Sequence, residues 1–213
     1  MAAGSGSRMG GDVPKQFLLL KGKPVLQYSI EAFYQNDPET NLILVLAKEE
    51  ITRWKSLREK HKLAVPHTIA IGGITRTESV KHGLSLVTSD GLVAIHDGAR
   101  PLISQNIIEK CFESAEKFGS GVACIKPKDS IRQVVEKENF ALDREHLRLV
   151  QTPQTFLTSL VKSAFATHGN EPSFDDATIV EMAGHPINLV EGSYHNLKIT
   201  TPEDLAFAEA LLA

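Results

Sequence analysis

The sequence predicts one α/β domain, built on a mostly parallel sheet with helices on both faces and a protruding β-arm. Three observations point there. Short β-branched apolar runs alternate with segments of helical periodicity along most of the 213 residues. Glycine-rich or acidic segments stand where binding residues of such a sheet cluster, at residues 1–16, 72–76 and 97–101. One stretch, residues 126–148, breaks the alternation with charge throughout. A chain of this length holds one sizeable core, so residues 1–213 are read as a single domain with 126–148 as an arm.

The elements follow in order. The opening "MAAGSGSRMGGDVPKQ" is a glycine-rich loop of the phosphate-cradling kind, with no strand ahead of it. Such loops take their rigidity from a strand feeding in and a helix leading out. "KPVLQYSIEAFYQN" sets Leu26, Ile30, Phe33 and Tyr34 at helical spacing, with Pro24 suited to the first turn. "NLILVLA" (41–47) reads as a buried strand, 48–62 as a charged helical segment and "HTIAI" (67–71) as another strand. A glycine turn opens the helix of "GGITRTESVKHGLSLV", where Thr75 and Glu78 have capping-box spacing. "LVAIH" (92–96) is a strand ending at Asp97, and "GVACI" (121–125) is a further one. Between them, 104–118 reads as a helix with Ile108, Cys111, Phe112, Ala115 and Phe118 on one face.

Residues 126–148 hold too few apolar side chains for a core of their own. They read as an arm that leaves the body and pairs with a second copy, with a hairpin turn expected near 137–139. The chain returns through "LVQTPQTF", two helical stretches, "PINLVEG" and "HNLKITTPEDLAFAEALLA". Thr201, Pro202, Glu203 and Asp204 make a helix start, and Asp175 and Asp176 in "SFDDATIV" read as helix caps.

Composition excludes several classes. Hydrophobic residues at 42% and charged residues at 23% are ordinary for a soluble domain, and a net charge of −3 argues against general nucleic-acid binding. The longest early apolar run, residues 17–20, is too short for a signal peptide or a membrane span. Cys111 and Cys124, both in apolar segments, suit buried, reduced thiols and a cytoplasmic location. No G-x-S-x-G elbow occurs, and the eight histidines show no zinc spacing.

The opening loop is neither a dinucleotide fingerprint, which would need a glycine at Met9, nor a P-loop, which would need Gly-Lys-Ser/Thr. It offers Gly4, Gly6, Arg8 and Lys15, with four cations against Asp12 alone over residues 8–23. Backbone N–H groups exposed at glycines, with full positive charges beside them, suit phosphate oxygens. Phosphoryl or nucleotidyl transfer needs positioning and charge neutralisation more than a side-chain nucleophile. Asp97 in "HDGARPL" can hold Mg²⁺ or accept a substrate hydroxyl, and Arg100 can brace the loop. Lys198 in "NLKIT" either snorkels at an edge or faces an anion.

With these pieces together, the chain closely resembles the 2-C-methyl-D-erythritol 4-phosphate cytidylyltransferase family of non-mevalonate isoprenoid synthesis. The likeness runs through almost all of the chain. "AAGSGSRMGGDVPKQF" resembles the family's CTP loop, "GGITRTESV" its base-recognition turn and "HDGARPL" its central acidic motif. "DREHLRLVQTPQTF" resembles the end of its dimer arm, and "HNLKITTPEDL" its C-terminal lysine motif. The resemblance implies a Rossmann-like fold, Mg²⁺ dependence and a homodimer with exchanged arms. It implies that Arg8 and Lys15 stabilise the transition state, and that Ala2, Ala3, Gly4, Gly6, Gly73 and Ser79 surround the nucleotide. Asp97, Arg100, Ser130 and Thr152 would meet the polyol phosphate, Thr152 and Lys198 gripping its phosphate with Arg144 of the partner. Asp97 would bind polyol hydroxyls and influence the metal; the remaining metal ligands stay unassigned.

Three departures from the family pattern carry expectations. Gly98 stands where relatives commonly carry Ala and should loosen its loop. Ile74 stands where some relatives place an acidic residue near the base. Relatives also begin with a hydrophobic central strand, so this chain is expected to lack that first strand. The related ribitol 5-phosphate cytidylyltransferases and a non-catalytic nucleotide-binding dimer are the alternatives that the sequence leaves open.

Overall fold

The computed structural model describes residues 1–4 and 13–212, so Gly6 and Arg8 lie outside the described residues. β1 (Leu19–Leu20) and β2 (Lys23–Pro24) form a minimal hairpin whose turn residues Lys21 and Gly22 both have positive φ. Then follow α1 (Val25–Asn36), β3 (Ile43–Leu46), α2 (Ile51–Lys60), β4 (Thr68–Ile71), α3 (Arg76–Ser85) and β5 (Leu92–Ile95). Next come α4 (Gln105–Phe118), β6 (Ser120–Ile125), β7 (Ile131–Val135), β8 (Glu138–Leu142) and β9 (Leu149–Leu157). The chain closes with α5 (Thr158–His168), α6 (Asp176–Met182), β10 (Leu189–Glu191) and α7 (Pro202–Leu211).

This is an α/β fold, but its strands pair in mixed directions where the sequence led us to expect a mostly parallel sheet. β3 pairs with β4 and β10 with β6 in parallel, while β9 lies between β5 and β6, antiparallel to both. The reason is topological. β9 is reached from β6 through the hairpin excursion and not through a crossover helix, so the chain re-enters the sheet heading the other way. Met1 and Ala2 lie between β3 and the end of β5. The Ala2 N–H donates to the Val45 carbonyl (2.9 Å) and the Gly98 N–H to the Met1 carbonyl (2.8 Å).

The helices bury the faces that the periodicity predicts, with one exception. α4 buries Ile107, Ile108, Cys111 and Ala115 against the sheet, but Phe118 is 55% exposed. Gly119, at φ +88°, ends the helix in the left-handed region. Phe156, Trp54 and Ile108 are fully buried, each contributing roughly 1.5–3 kcal/mol or more of transfer free energy. Cys111 and Cys124 are buried too, and burial pushes the Cys111 thiol up to about 12.

β7 and β8 pair with each other, and every residue of β8 is exposed. Their turn falls at Glu136 and Lys137, earlier than the expected 137–139. Val135 pairs with Glu138, and Glu136 takes a φ of +53°. Among the described residues no helix is long and apolar enough to cross a membrane.

Candidate functional site

The opening segment and the turn after β4 make a cradle of main chain. Gln16, 3% exposed, donates from Nε2 to the Ala2 carbonyl (2.9 Å) and the Gly4 carbonyl (3.3 Å), pinning that segment from inside. Lys15 opens the neighbouring 3-10 turn Lys15–Phe17 and is half-buried. Gly72 abuts Ala3 so tightly that a Cβ there would stand 2.5 Å from the Ala3 Cβ. A larger residue would push the two walls of the cradle apart.

The turn itself is fixed by α3's cap. Thr75 and Glu78 form the expected capping box, and the Glu78 carboxylate also accepts from the Ile74 N–H (2.7 Å). The Ile74 side chain is 98% exposed, so the acidic group of this turn is Glu78. Ser79 Oγ accepts from the Gly73 N–H (3.0 Å) and donates to the Thr75 carbonyl (2.9 Å). Gly98 sits close against its neighbours. A Cβ there would stand 2.7 Å from Leu26 Cδ1 and 3.3 Å from the Ala2 Cβ, so Leu26 occupies the space beside it.

Beside the cradle, at the end of β5, stands Asp97. Lys198 Nζ lies 2.7 Å from its Oδ2 and Arg76 Nη2 3.9 Å from its Oδ1. Burial would raise the Asp97 pKa, but Lys198 and then Arg76 overcome it and hold the carboxyl well below the usual carboxylate range. Asp97 is therefore an ionised, nearly buried acceptor. Lys198 is brought there because its segment is sewn to the loop, the Ile199 N–H donating to the Ala99 carbonyl (2.8 Å).

Arg76 is the hinge between this cluster and the cradle. Its guanidinium forks onto Asp176 with bonds of 2.7 and 2.6 Å, joining the first residue of α3 to the first residue of α6. Burial opposes the charge on Arg76, but Asp176, then Asp97 and Asp175, hold it protonated. Asp175 caps α6 as expected, accepting from the Thr178 N–H (2.9 Å). Asp176 does not cap; it is fully buried and serves Arg76. Gln154, on β9, accepts from the Asp176 and Ala177 N–H groups (3.1 and 2.8 Å) and seats this corner of the site.

Thr152 and Arg100 both lie against the Asp97 loop. Thr152 is 4% exposed, and its Oγ1 accepts from the Asp97 N–H (3.0 Å) and lies 3.1 Å from His96 Nδ1. His96 Nε2 faces the Arg100 carbonyl (3.2 Å), which can only accept, so Nε2 carries a proton. Burial, above all, pushes His96 down to about 3, so the ring is neutral and Nδ1 is a lone pair. The Thr152 hydroxyl can donate to that lone pair. Arg100 is 9% exposed, with Nη1 donating to the Asn196 carbonyl (2.6 Å). It braces the loop, and its Nε has no hydrogen-bond partner among the described residues.

Ser130 and Arg144 are exposed on the arm; Arg144 Nη1 donates to the Lys128 carbonyl (2.6 Å). Among the described residues, neither is bonded to the Asp97 cluster. The residues that sequence reasoning missed are Gln16, Arg76, His96, Gln154 and the ion-pairing role of Asp176. One signal was available: "QTPQT" puts Gln151, Thr152, Gln154 and Thr155 into a strand with apolar residues on either side.

The neutral His96 makes stability depend on pH. The unfolded chain takes up a proton near pH 6.5, which the folded state refuses until about 3. The unfolded state thus binds more protons in this window, and stability falls as pH drops, by about 1.4 kcal/mol per unit. Urea denaturation at pH 6.5 and pH 5 should differ by about 2 kcal/mol on this account. His67, also lowered by burial, acts in the same direction. His96→Gln should remove the His96 share, and an unchanged pH slope in that variant would exclude this assignment.

Comparison with known proteins places this geometry in a family. The family model IspD: 2-C-methyl-D-erythritol 4-phosphate cytidylyltransferase matches residues 1–213. A 2-C-methyl-D-erythritol 4-phosphate cytidylyltransferase of Bacteroides thetaiotaomicron is 43% identical over 212 residues, covering 100% of this chain and 97% of that protein. The crystal structure of the Thermus thermophilus protein of the same name superposes with a TM-score of 0.79 at 32% identity, covering 99% of this chain and 95% of that one. The 4-diphosphocytidyl-2C-methyl-D-erythritol synthase of Anaerococcus prevotii reaches a TM-score of 0.86 at 26% identity, covering 99% of this chain and 92% of its own. The chain therefore belongs to the 2-C-methyl-D-erythritol 4-phosphate cytidylyltransferase family.

Proposed function

We propose that this chain transfers CMP from CTP to 2-C-methyl-D-erythritol 4-phosphate, releasing pyrophosphate and forming CDP-methylerythritol. One observation carries the reading. At the mouth of a main-chain cradle, an ionised Asp97 and the Lys198 ammonium stand 2.7 Å apart, a hydroxyl acceptor beside a phosphate-binding cation. In the reaction a substrate phosphate oxygen bonds to the α-phosphorus of CTP, and the bond from that phosphorus to the bridging oxygen of pyrophosphate breaks. No protein nucleophile is required. Ala2, Ala3, Gly4 and Gly73 offer main chain to the nucleotide, with Gly6 completing the loop and Ser79 holding the turn. Arg8 and Lys15 carry charge to the triphosphate, and Lys198 draws the attacking phosphate toward it. Asp97 accepts from the polyol hydroxyls, and Arg100 braces the loop that carries it.

Among the described residues no three Asp, Glu, His or Cys side chains converge as a metal cage. That donor set fits Mg²⁺, which is commonly held by one or two carboxylates together with phosphates and water. Asp97 would be its protein ligand, and the ion would supply charge neutralisation to the triphosphate. The exposed hairpin, with Val134 70% and Phe140 51% exposed, supports a homodimer with exchanged arms. Ser130 and Arg144 would then act at the partner's substrate phosphate. Buried, unpaired thiols support a cytoplasmic setting.

The test is pyrophosphate release from CTP and Mg²⁺, with methylerythritol phosphate and ribitol 5-phosphate offered in parallel and circular dichroism on the same sample. Release with methylerythritol phosphate alone is the expected result. A well-folded sample that is silent, or one that prefers ribitol 5-phosphate, overturns the proposal.

A further inference from the structure

We propose that Tyr194 is a positioning residue that sets the bearing of the arm, and that it therefore serves the partner's site and not its own. This rests on the reaction and the exchanged arms proposed above. The pairing of β6 with β9 ends at Ile125 and Leu149, and beyond it β7 and β8 pair only with each other among the described residues. Tyr194 reaches past that point and holds the outgoing leg of the arm twice. Its hydroxyl donates to the Lys126 carbonyl (2.8 Å), and Lys128 Nζ lies 3.9 Å from the centroid of its ring. The returning leg fastens to the same two residues. Arg144 Nη1 donates to the Lys128 carbonyl (2.6 Å), and Glu145 accepts from Lys126 Nζ (3.0 Å). Lys128 alone thus separates Tyr194 from Arg144. A guanidinium has several N–H donors, so this bond orients Arg144 and leaves others for a phosphate.

The backbone that carries Tyr194 is fixed to the body. Gln151 of β9 donates from Nε2 to the Ser193 carbonyl (2.8 Å), and the Gly192 N–H donates to the Cys124 carbonyl (2.8 Å). Asn196, at 0% exposure, donates from Nδ2 to the Thr152 carbonyl (2.9 Å). Tyr194 stands between these anchors, and a tyrosine turns about only two side-chain bonds, so it hands a fixed position to the arm at small entropic cost. Lys198 is held separately, by the Ile199 N–H on the Ala99 carbonyl (2.8 Å) and by its own ion pair with Asp97. Removing the Tyr194 side chain therefore releases the arm and leaves the Lys198 side of the site in place.

Tyr194→Ala should lower kcat/KM for methylerythritol phosphate about tenfold with KM for CTP unchanged, because only the arm's end of the site has moved. Tyr194→Phe, which keeps the ring beneath Lys128, should lose about threefold. The deciding measurement uses mixed dimers, co-expressed with two tags, in which one protomer carries Tyr194→Ala and the other Lys198→Met. The site that keeps Lys198 then receives an unaltered arm and should run at its wild-type rate, giving about half the wild-type activity per dimer. Mixed dimers as slow as Tyr194→Ala would place the role of Tyr194 in its own site and overturn the proposal. So would a Tyr194→Ala homodimer with the wild-type rate. A parallel mixture of Arg144→Ala with Lys198→Met tells the failures apart. Recovery there, without recovery for Tyr194→Ala, refutes the role of Tyr194 alone. Recovery in neither shows that the arms are not exchanged, and refutes that reading together with the role that rests on it. A wild type that releases no pyrophosphate overturns the reaction before any variant is compared, and this role with it.

Discussion

Arg76→Met is expected to lower the free energy of unfolding by about 2–3 kcal/mol, less than for stripping a partner from a wholly buried ion pair because the Arg76 side chain is 35% exposed. The cause is what remains. Asp176 is fully buried, and its two oxygens lose their fork of hydrogen bonds at 2.7 and 2.6 Å. Against a total margin of about 5–15 kcal/mol, that is a large fraction. Asp176→Leu in the same chain removes the stranded charge, so the double variant should be markedly more stable than Arg76→Met alone. Its turnover should stay low, because Arg76 also faces Asp97 and begins the helix that caps the Gly73 turn. Urea denaturation followed by circular dichroism measures all three proteins. A loss under about 1 kcal/mol for Arg76→Met would mean that water reaches Asp176 and that the pair is ornamental to the fold.

Lys198→Met should reduce kcat/KM on the order of a hundredfold to a thousandfold, the scale for removing one charge-stabilising donor from a preorganised site. Two effects combine. The phosphate loses a cation, and Asp97 loses the partner that does most to keep its pKa depressed. Stability should change little, because the Lys198 side chain is 38% exposed and Arg76 remains beside Asp97. Lys198→Arg should recover only part of the rate, since a planar fork does not replace a compact ammonium at 2.7 Å from a carboxylate. Pyrophosphate release with both substrates varied gives kcat and KM separately. Activity within about fivefold of wild type would place Lys198 outside the reacting centre.

Much of the site was legible in short stretches because its chemistry is local. A capping box needs only Thr75 and Glu78 three positions apart, and the Asp175 cap needs only the turn that follows it. Asp97 at a strand end and Lys198 in an apolar run were likewise recognisable by type and neighbourhood. Asp176 was misread for the same reason. Its sequence neighbours describe a helix start, and nothing within a turn of it announces an arginine 100 positions away.

β9 shows the limit most plainly. From Gln151 to Phe156 six consecutive residues are buried, so the alternation that marks a half-exposed strand is absent, and its antiparallel direction leaves no local mark. By itself the sequence determined the α/β class, the helix starts and the capping box of Thr75 and Glu78, because these depend on backbone geometry and periodicity within a few residues. The tertiary structure alone decided the strand directions, the Arg76–Asp176 fork and the meeting of Thr152 with His96 and the Asp97 N–H. Those depend on which distant polar groups become buried together, where each must find a partner or cost the fold its stability.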